Sequence, residues 1–158
     1  MSLSVAQLGA VDDAITRQSL RGVRALDVRV ELEGAYNALG LTSDDIQTDV
    51  ELHCRQAGVE INKALIEPFL YIYVHVMQEK FKSGQPSDDY AVKIEVKFHQ
   101  RATLTRAPEI RLVATTWEVG SLITGSSDGL RSLCRDSIRN KVDKFLNAFL
   151  EQNPKATR

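Results

Sequence analysis

The stretch "FLYIYVHVMQEKFKSGQPSDDYAVKIEVKFHQRATL", residues 69–104, decides the fold. Its two halves alternate apolar and polar residues with period two, the signature of strands whose two faces meet different surroundings. Between them "KSGQPSDD", residues 82–89, is turn chemistry. A hairpin symmetric about Gly84 sets Val74 against Ile94, Ile72 against Val96 and Leu70 against Phe98, apolar on apolar. The same register sets His75 against Lys93 and His99 against Phe69.

Working outward, "RAPE" (106–109) turns the chain into a third strand, "IRLVATTWEVGSLI" (110–123), so three consecutive strands form an antiparallel meander. Upstream, Leu26, Val28, Val30 and Leu32 alternate with Asp27, Arg29, Glu31 and Glu33, a half-buried strand. "LTSDDIQTDVELHCRQAG" (41–58) predicts a helix capped by Thr42 or Ser43 and ended at Gly58, with Ile46, Val50, His53 or Cys54, and Ala57 inward. A short piece, "VEIN" (59–62), follows, and Pro68 opens the first hairpin strand. A last helix is predicted from about Asp128 to Gln152, its stripe Leu130, Leu133, Cys134, Ile138, Val142, Phe145, Leu146 and Phe149.

This order predicts an α+β two-layer sandwich: a mainly antiparallel sheet of about four strands with two helices on one face. The expected core is Ile72, Val74, Ile94, Val96, Phe98, Leu133, Ile138, Val142 and Phe145. Residues 23–158 read as one domain. Residues 1–22 read as a loosely attached arm with a short helical stripe at Val5, Leu8, Val11 and Ile15.

The chain has 158 residues, enough for one core, with 43% hydrophobic and 26% charged residues. Twenty basic and twenty-one acidic residues leave a net charge of -1, which argues against nucleic acid or an anionic membrane as partner. No run approaches the ~20 apolar residues of a membrane-spanning helix. The start "MSLSVAQLGAV" lacks the features of a signal peptide, although a removed leader is compatible with it.

Gly120 and Gly125 have the spacing of a phosphate loop, but Ser126 stands where such a loop needs lysine, and Asp128 would repel phosphate. The expectation is that both glycines mark bends and that Ser126 or Ser127 caps the last helix. His53, His75 and His99 are the only histidines. The hairpin register separates the two strand histidines by about 20 Å, and His53 belongs to a helix on the other face. No metal or cofactor site and no catalytic constellation is therefore expected. Cys54 and Cys134 fall on apolar helix stripes as small hydrophobes, with a disulfide between them left open.

The face opposite the helices carries Tyr71, Tyr73, His75 and Met77 beside Lys93, Glu95, Lys97 and His99. Two readings stand. Tyrosines and lysine stems cover a sheet that would otherwise be bare, or Tyr71, Tyr73, Lys93 and Lys97 form a surface for a protein partner.

As a set, "LGLTSDDIQTDVELHCRQAGVEI", "LYIYVHV", "ATTW" and "VDKFLNAFLEQNPK" resemble a group of small bacterial proteins, usually exported, to which no activity is assigned. The likeness spans about residues 24–155. Cys54 stands where that group is expected to carry leucine, which implies a core role. The order of elements is also similar to the N-terminal domain of the Tol-system propeller protein and to the curli-secretion lipoprotein fold. The resemblance implies the cell envelope (periplasm) as location; without a catalytic constellation the expectation is a non-catalytic interaction or structural domain there, its sheet face or edge open to a protein partner or to a second copy of the chain. The alternative is a cytosolic module holding a small ligand between sheet and helices.

Overall fold

The structure, a computed structural model, describes residues 4–154. The element order is β1 (Ser4–Val11), α1 (Ala14–Gln18), β2 (Ala25–Gly34), α2 (Ser43–Gln56), β3 (Glu60–Ile61), β4 (Phe69–Lys80), β5 (Pro86–Leu104), β6 (Ala107–Ser126) and α3 (Leu130–Gln152). Six strands form one sheet in the order β1-β6-β5-β4-β2-β3. The meander β4-β5-β6 is antiparallel, and β1 joins β6 antiparallel. β2 pairs in parallel with both β4 and β3, because α2 carries the chain back before the sheet resumes. The fold is α+β, a sheet layered against helices.

The hairpin has the register expected of it. Val74 faces Ile94, Ile72 faces Val96, Leu70 faces Phe98, and His75 faces Lys93. It tightens near the turn, where Lys80 meets Pro86 after an irregularity; β5 therefore begins inside the stretch read as loop. On the inner face Leu70, Ile72, Val74, Ile94, Val96 and Phe98 are all fully buried. α3 lays Ile138, Val142 and Phe145 over β5 and β6, and α2 lays Ile46, Val50 and Cys54 over β2. Phe145 centres the aromatic core, 5.4 Å from both Phe98 and Trp117. Each large side chain buried this way contributes about 1.5–3 kcal/mol. Leu133, expected in the core, is only partly buried at its rim.

α2 starts and stops by local chemistry. The Thr42 hydroxyl accepts from the Asp45 N–H at 3.2 Å, Asp44 and Asp45 fill the first turn, and Gly58 takes φ 85°. α3 differs from expectation. β6 stays paired with β5 as far as Ser126, so that serine is committed to the sheet. The helix begins two residues later than expected, at Leu130, behind Gly129 at φ 74° with no side-chain cap. Gly120 and Gly125 are likewise strand residues, opposite Glu95 and Tyr90, not bends.

The segment before residue 22 also needs correction. Where a helical stripe was expected, residues 4–11 form a strand whose main chain pairs with the outer edge of β6. Asp13 then caps the short α1, and Leu20 is fully buried. Within the stretch read as an arm, residues 4–11 thus join the sheet and Leu20 joins the core. With β3 at the far edge, the sheet has six strands where about four were expected.

Candidate functional site

The layer opposite the helices is built by the odd-numbered residues of β4 and β5. Along β4, Phe69, Tyr71, Tyr73 and His75 form an aromatic row, with Tyr71 and Tyr73 stacked at 6.4 Å between centroids. His99, from β5, stacks on Phe69 at 4.9 Å and meets Tyr71 edge-on at 5.6 Å. The Arg29 guanidinium lies 3.9 Å above the Phe69 ring, a cation–π contact. Met77 prolongs the row and is 41% exposed.

Charges on both sides hold the row in place. Because β2 lies beside β4 in parallel, Glu31 stands against Tyr73 and Glu33 against His75 in the pairing. The Tyr71 hydroxyl donates to Glu31 and the Tyr73 hydroxyl donates to Glu33. On the β5 side Glu95 takes Lys97 at 2.9 Å and Lys93 at 3.1 Å. Burial disfavours the charged Glu95 carboxylate, but the two lysines outweigh it and hold the group below its usual range. Burial and the bond to Glu31 push the Tyr71 hydroxyl up to about 12. The bond to Glu33, then burial, does the same for Tyr73. His99 moves down, through burial and then the Lys97 charge; its Nε2 is buried without a hydrogen-bond partner among the described residues.

The four expected surface residues therefore do lie on one face, Tyr71 and Tyr73 on β4 and Lys93 and Lys97 on β5. The strand histidines stay on that face at opposite ends of the register. His53 is elsewhere, its Nε2 2.6 Å from Asp143 Oδ1, bridging α2 to α3. Cys54 and Cys134 are buried free thiols, and burial pushes them up to about 12 and about 11.

The sheet edges are less open than the long strands suggest. The outer edge of β2 meets the two-residue β3 and then carries Arg29, Glu31 and Glu33, charges that discourage strand addition. Between sheet and helices the space is filled by Trp117, Phe98 and Phe145, each fully buried. Two concave spaces lie at the helix flanks. One of about 370 Å3 runs between α2 and α3 over Ile46, Val50, Ile138 and Val142. Another of about 300 Å3 sits where α3 meets β6, at Ser121, Ser137 and Lys141.

That last trio was not anticipated from the sequence, yet a signal existed. Ser121 falls in the inward phase of β6 between Val119 and Ile123, and Lys141 interrupts an apolar stripe between Ile138 and Phe145. Glu31 and Glu33 were expected only as solvated charges of β2. Their tyrosine partners depend on which strand neighbours β2, which alternation does not encode.

No protein-family model matches the chain, and no curated protein matches it. Among solved structures it is similar to a PelC dodecamer from Paraburkholderia phytofirmans. The identity there is 15% over 94% of this chain and 97% of that one, with a TM-score of 0.45. It is also similar to the rare lipoprotein B from Shewanella oneidensis, at 12% identity over 79% and 96% and a TM-score of 0.37. Likenesses this distant carry no argument about function.

Proposed function

We propose that this chain is a non-catalytic interaction module that meets a protein partner on its open sheet face, at Tyr71, Tyr73, Lys93 and Lys97. One observation carries this reading: the stacked Tyr71–Tyr73 pair stands on a face without helices, and carboxylates from the neighbouring strand hold both hydroxyls. Rings already fixed in place lose little side-chain entropy when a partner covers them. The lysines and Glu95 beside them supply the polar rim. The near-neutral net charge of -1 suits a protein surface better than nucleic acid. Placement in the bacterial envelope rests on the resemblance to exported proteins.

The test is affinity capture of the tagged protein from its native organism, with wild type beside Tyr71→Ala/Tyr73→Ala/Lys97→Ala. Circular dichroism establishes that the variant keeps its fold. The expected result is loss of specific partners in the triple variant. Recovery of the same partners at the same yield overturns the open-face reading. Fractionation of the full gene product tests its place in the envelope independently.

A further inference from the structure

On the helix side of the sheet, three polar side chains meet at one point. Lys141 of α3 is 8% exposed, and its Nζ donates to Ser121 Oγ at 2.7 Å and to Ser137 Oγ at 2.8 Å. The two hydroxyl oxygens lie 3.3 Å apart. Each element delivers its residue by phase. Ser121 points inward with Val119 and Ile123 along β6, and Ser137 and Lys141 are one turn apart on α3.

This arrangement is costly as pure packing. A buried ammonium is normally paired with a carboxylate, and without one two neutral hydroxyls compensate its desolvation only in part. Among the described residues no ion pair forms at Lys141; its polar partners are the two serines. A methionine would fill similar volume without that cost.

The protons show what the cluster lacks. Of the three ammonium N–H groups, two go to hydroxyl oxygens, and one hydroxyl can donate to the other. One N–H and one O–H then have no acceptor within the trio. The cluster thus has positive charge and spare donors, and it opens on the space of about 300 Å3 also lined by Gly120, Asn140 and Lys144. Asp136 and Lys144 stand at the mouth with opposite charges, so Lys141 sets the sign inside.

We propose that Ser121, Ser137 and Lys141 form a binding site for a small oxyanion, a carboxylate or phosphate group of a small molecule. The oxyanion accepts from the free N–H and O–H and neutralises the ammonium. The space falls at the lower end of the ~300–1,000 Å3 typical of small-ligand pockets. Burial, and then the nearby Lys144 charge, bring Lys141 down to about 8, which still leaves it predominantly charged at neutral pH. The site is on the opposite side of the sheet from the open face and does not depend on the partner proposed there.

The experiment titrates the full chain with inorganic phosphate and, separately, acetate, at constant ionic strength set by chloride. Binding is read by calorimetry and by the side-chain NMR signal of Lys141. The expected result is saturable binding of at least one probe, weakened tenfold or more by Lys141→Met and at least threefold by Ser137→Ala. The probe that binds more tightly tells phosphate from carboxylate chemistry. Ser137→Ala keeps the ammonium and carries the test alone if Lys141→Met does not fold. Failure of both probes to saturate the wild type, or unchanged affinity in the folded variants, overturns the proposal.

Discussion

Trp117 and Asp12 are joined across the N-terminal edge of the core: the indole N–H of a fully buried tryptophan donates to the Asp12 carboxylate at 2.8 Å. The same carboxylate takes two guanidinium nitrogens of Arg17, at 2.7 and 3.0 Å, and Arg17 also reaches Glu151 on α3 at 2.9 Å. Asp12 and Arg17 together thus tie the start of α1 to both the sheet and the last helix.

Asp12→Ala leaves the indole N–H buried and unpaired, which is expected to cost about 1–3 kcal/mol in urea unfolding at pH 7. Asp12 is held below its ordinary value of 3.8, chiefly by the Arg17 bond, against the opposing effect of burial. A lowered folded-state carboxyl stabilises above its unfolded value, and that stabilisation fades as pH falls through the folded one. The deficit of Asp12→Ala should therefore narrow below about pH 4. An equal deficit at about pH 7 and at about pH 2.5 contradicts the assignment.

At the end of β2 the chain passes close to a carbonyl. Gly34 has φ 79°, and a Cβ there would collide with the Val76 oxygen, which already accepts from the Ala35 N–H at 2.8 Å. Gly34→Ala combines a left-handed conformation with a backbone clash, so a loss of at least about 1–3 kcal/mol is expected. Thermal unfolding measures it. Wild-type stability in the variant would contradict the close approach of Gly34 to Val76.

The two thiols are expected to be inert while the protein is folded. Cys54 and Cys134 are fully buried, and burial pushes their thiols up to about 12 and about 11, so almost no thiolate exists at about pH 8. A chromogenic disulfide reagent should label neither cysteine in buffer and both in denaturant. Rapid labelling of either one in the native protein refutes their place in the core.

Lys141→Met should raise stability at neutral pH. The folded state lowers Lys141 from 10.5 to about 8, through burial and then Lys144, with Cys134 opposing. The linked penalty, on the order of 3 kcal/mol, applies in full below about pH 8. It is relieved as pH rises toward 10.5, because the unfolded chain there binds the extra proton. The variant should gain about 1–3 kcal/mol at neutral pH, and that gain should shrink by about pH 10. Denaturant unfolding at both pH values, without phosphate or carboxylate buffers, provides the measurement.

Much of the open face was legible because strand residues reveal their phase. Tyr71, Tyr73, Lys93 and Lys97 share a face once the hairpin is centred on Gly84, and the observed pairing agrees. The carboxylates that bind the tyrosines were not legible, since β2 and β4 are separated by α2 and β3 and pair in parallel. The Ser121–Ser137–Lys141 cluster stayed hidden for a related reason. A polar residue in an inward phase signals an anomaly without naming the partner that satisfies it.

By itself the sequence determined the hairpin register, both ends of α2 and the buried stripe of α3, because these depend on periods of about 2 and 3.6 and on turn and capping residues nearby. Tertiary structure decided that residues 4–11 are a strand, that β6 runs through Gly120 and Gly125 to Ser126, and that Gly129 precedes α3. Main-chain N–H and C=O groups are nearly the same at every residue, so an available sheet edge can recruit a segment whose side-chain pattern does not announce a strand. The meeting of Lys141 with Ser121, and of Trp117 with Asp12, likewise required distant elements to pack together before either hydrogen bond could form.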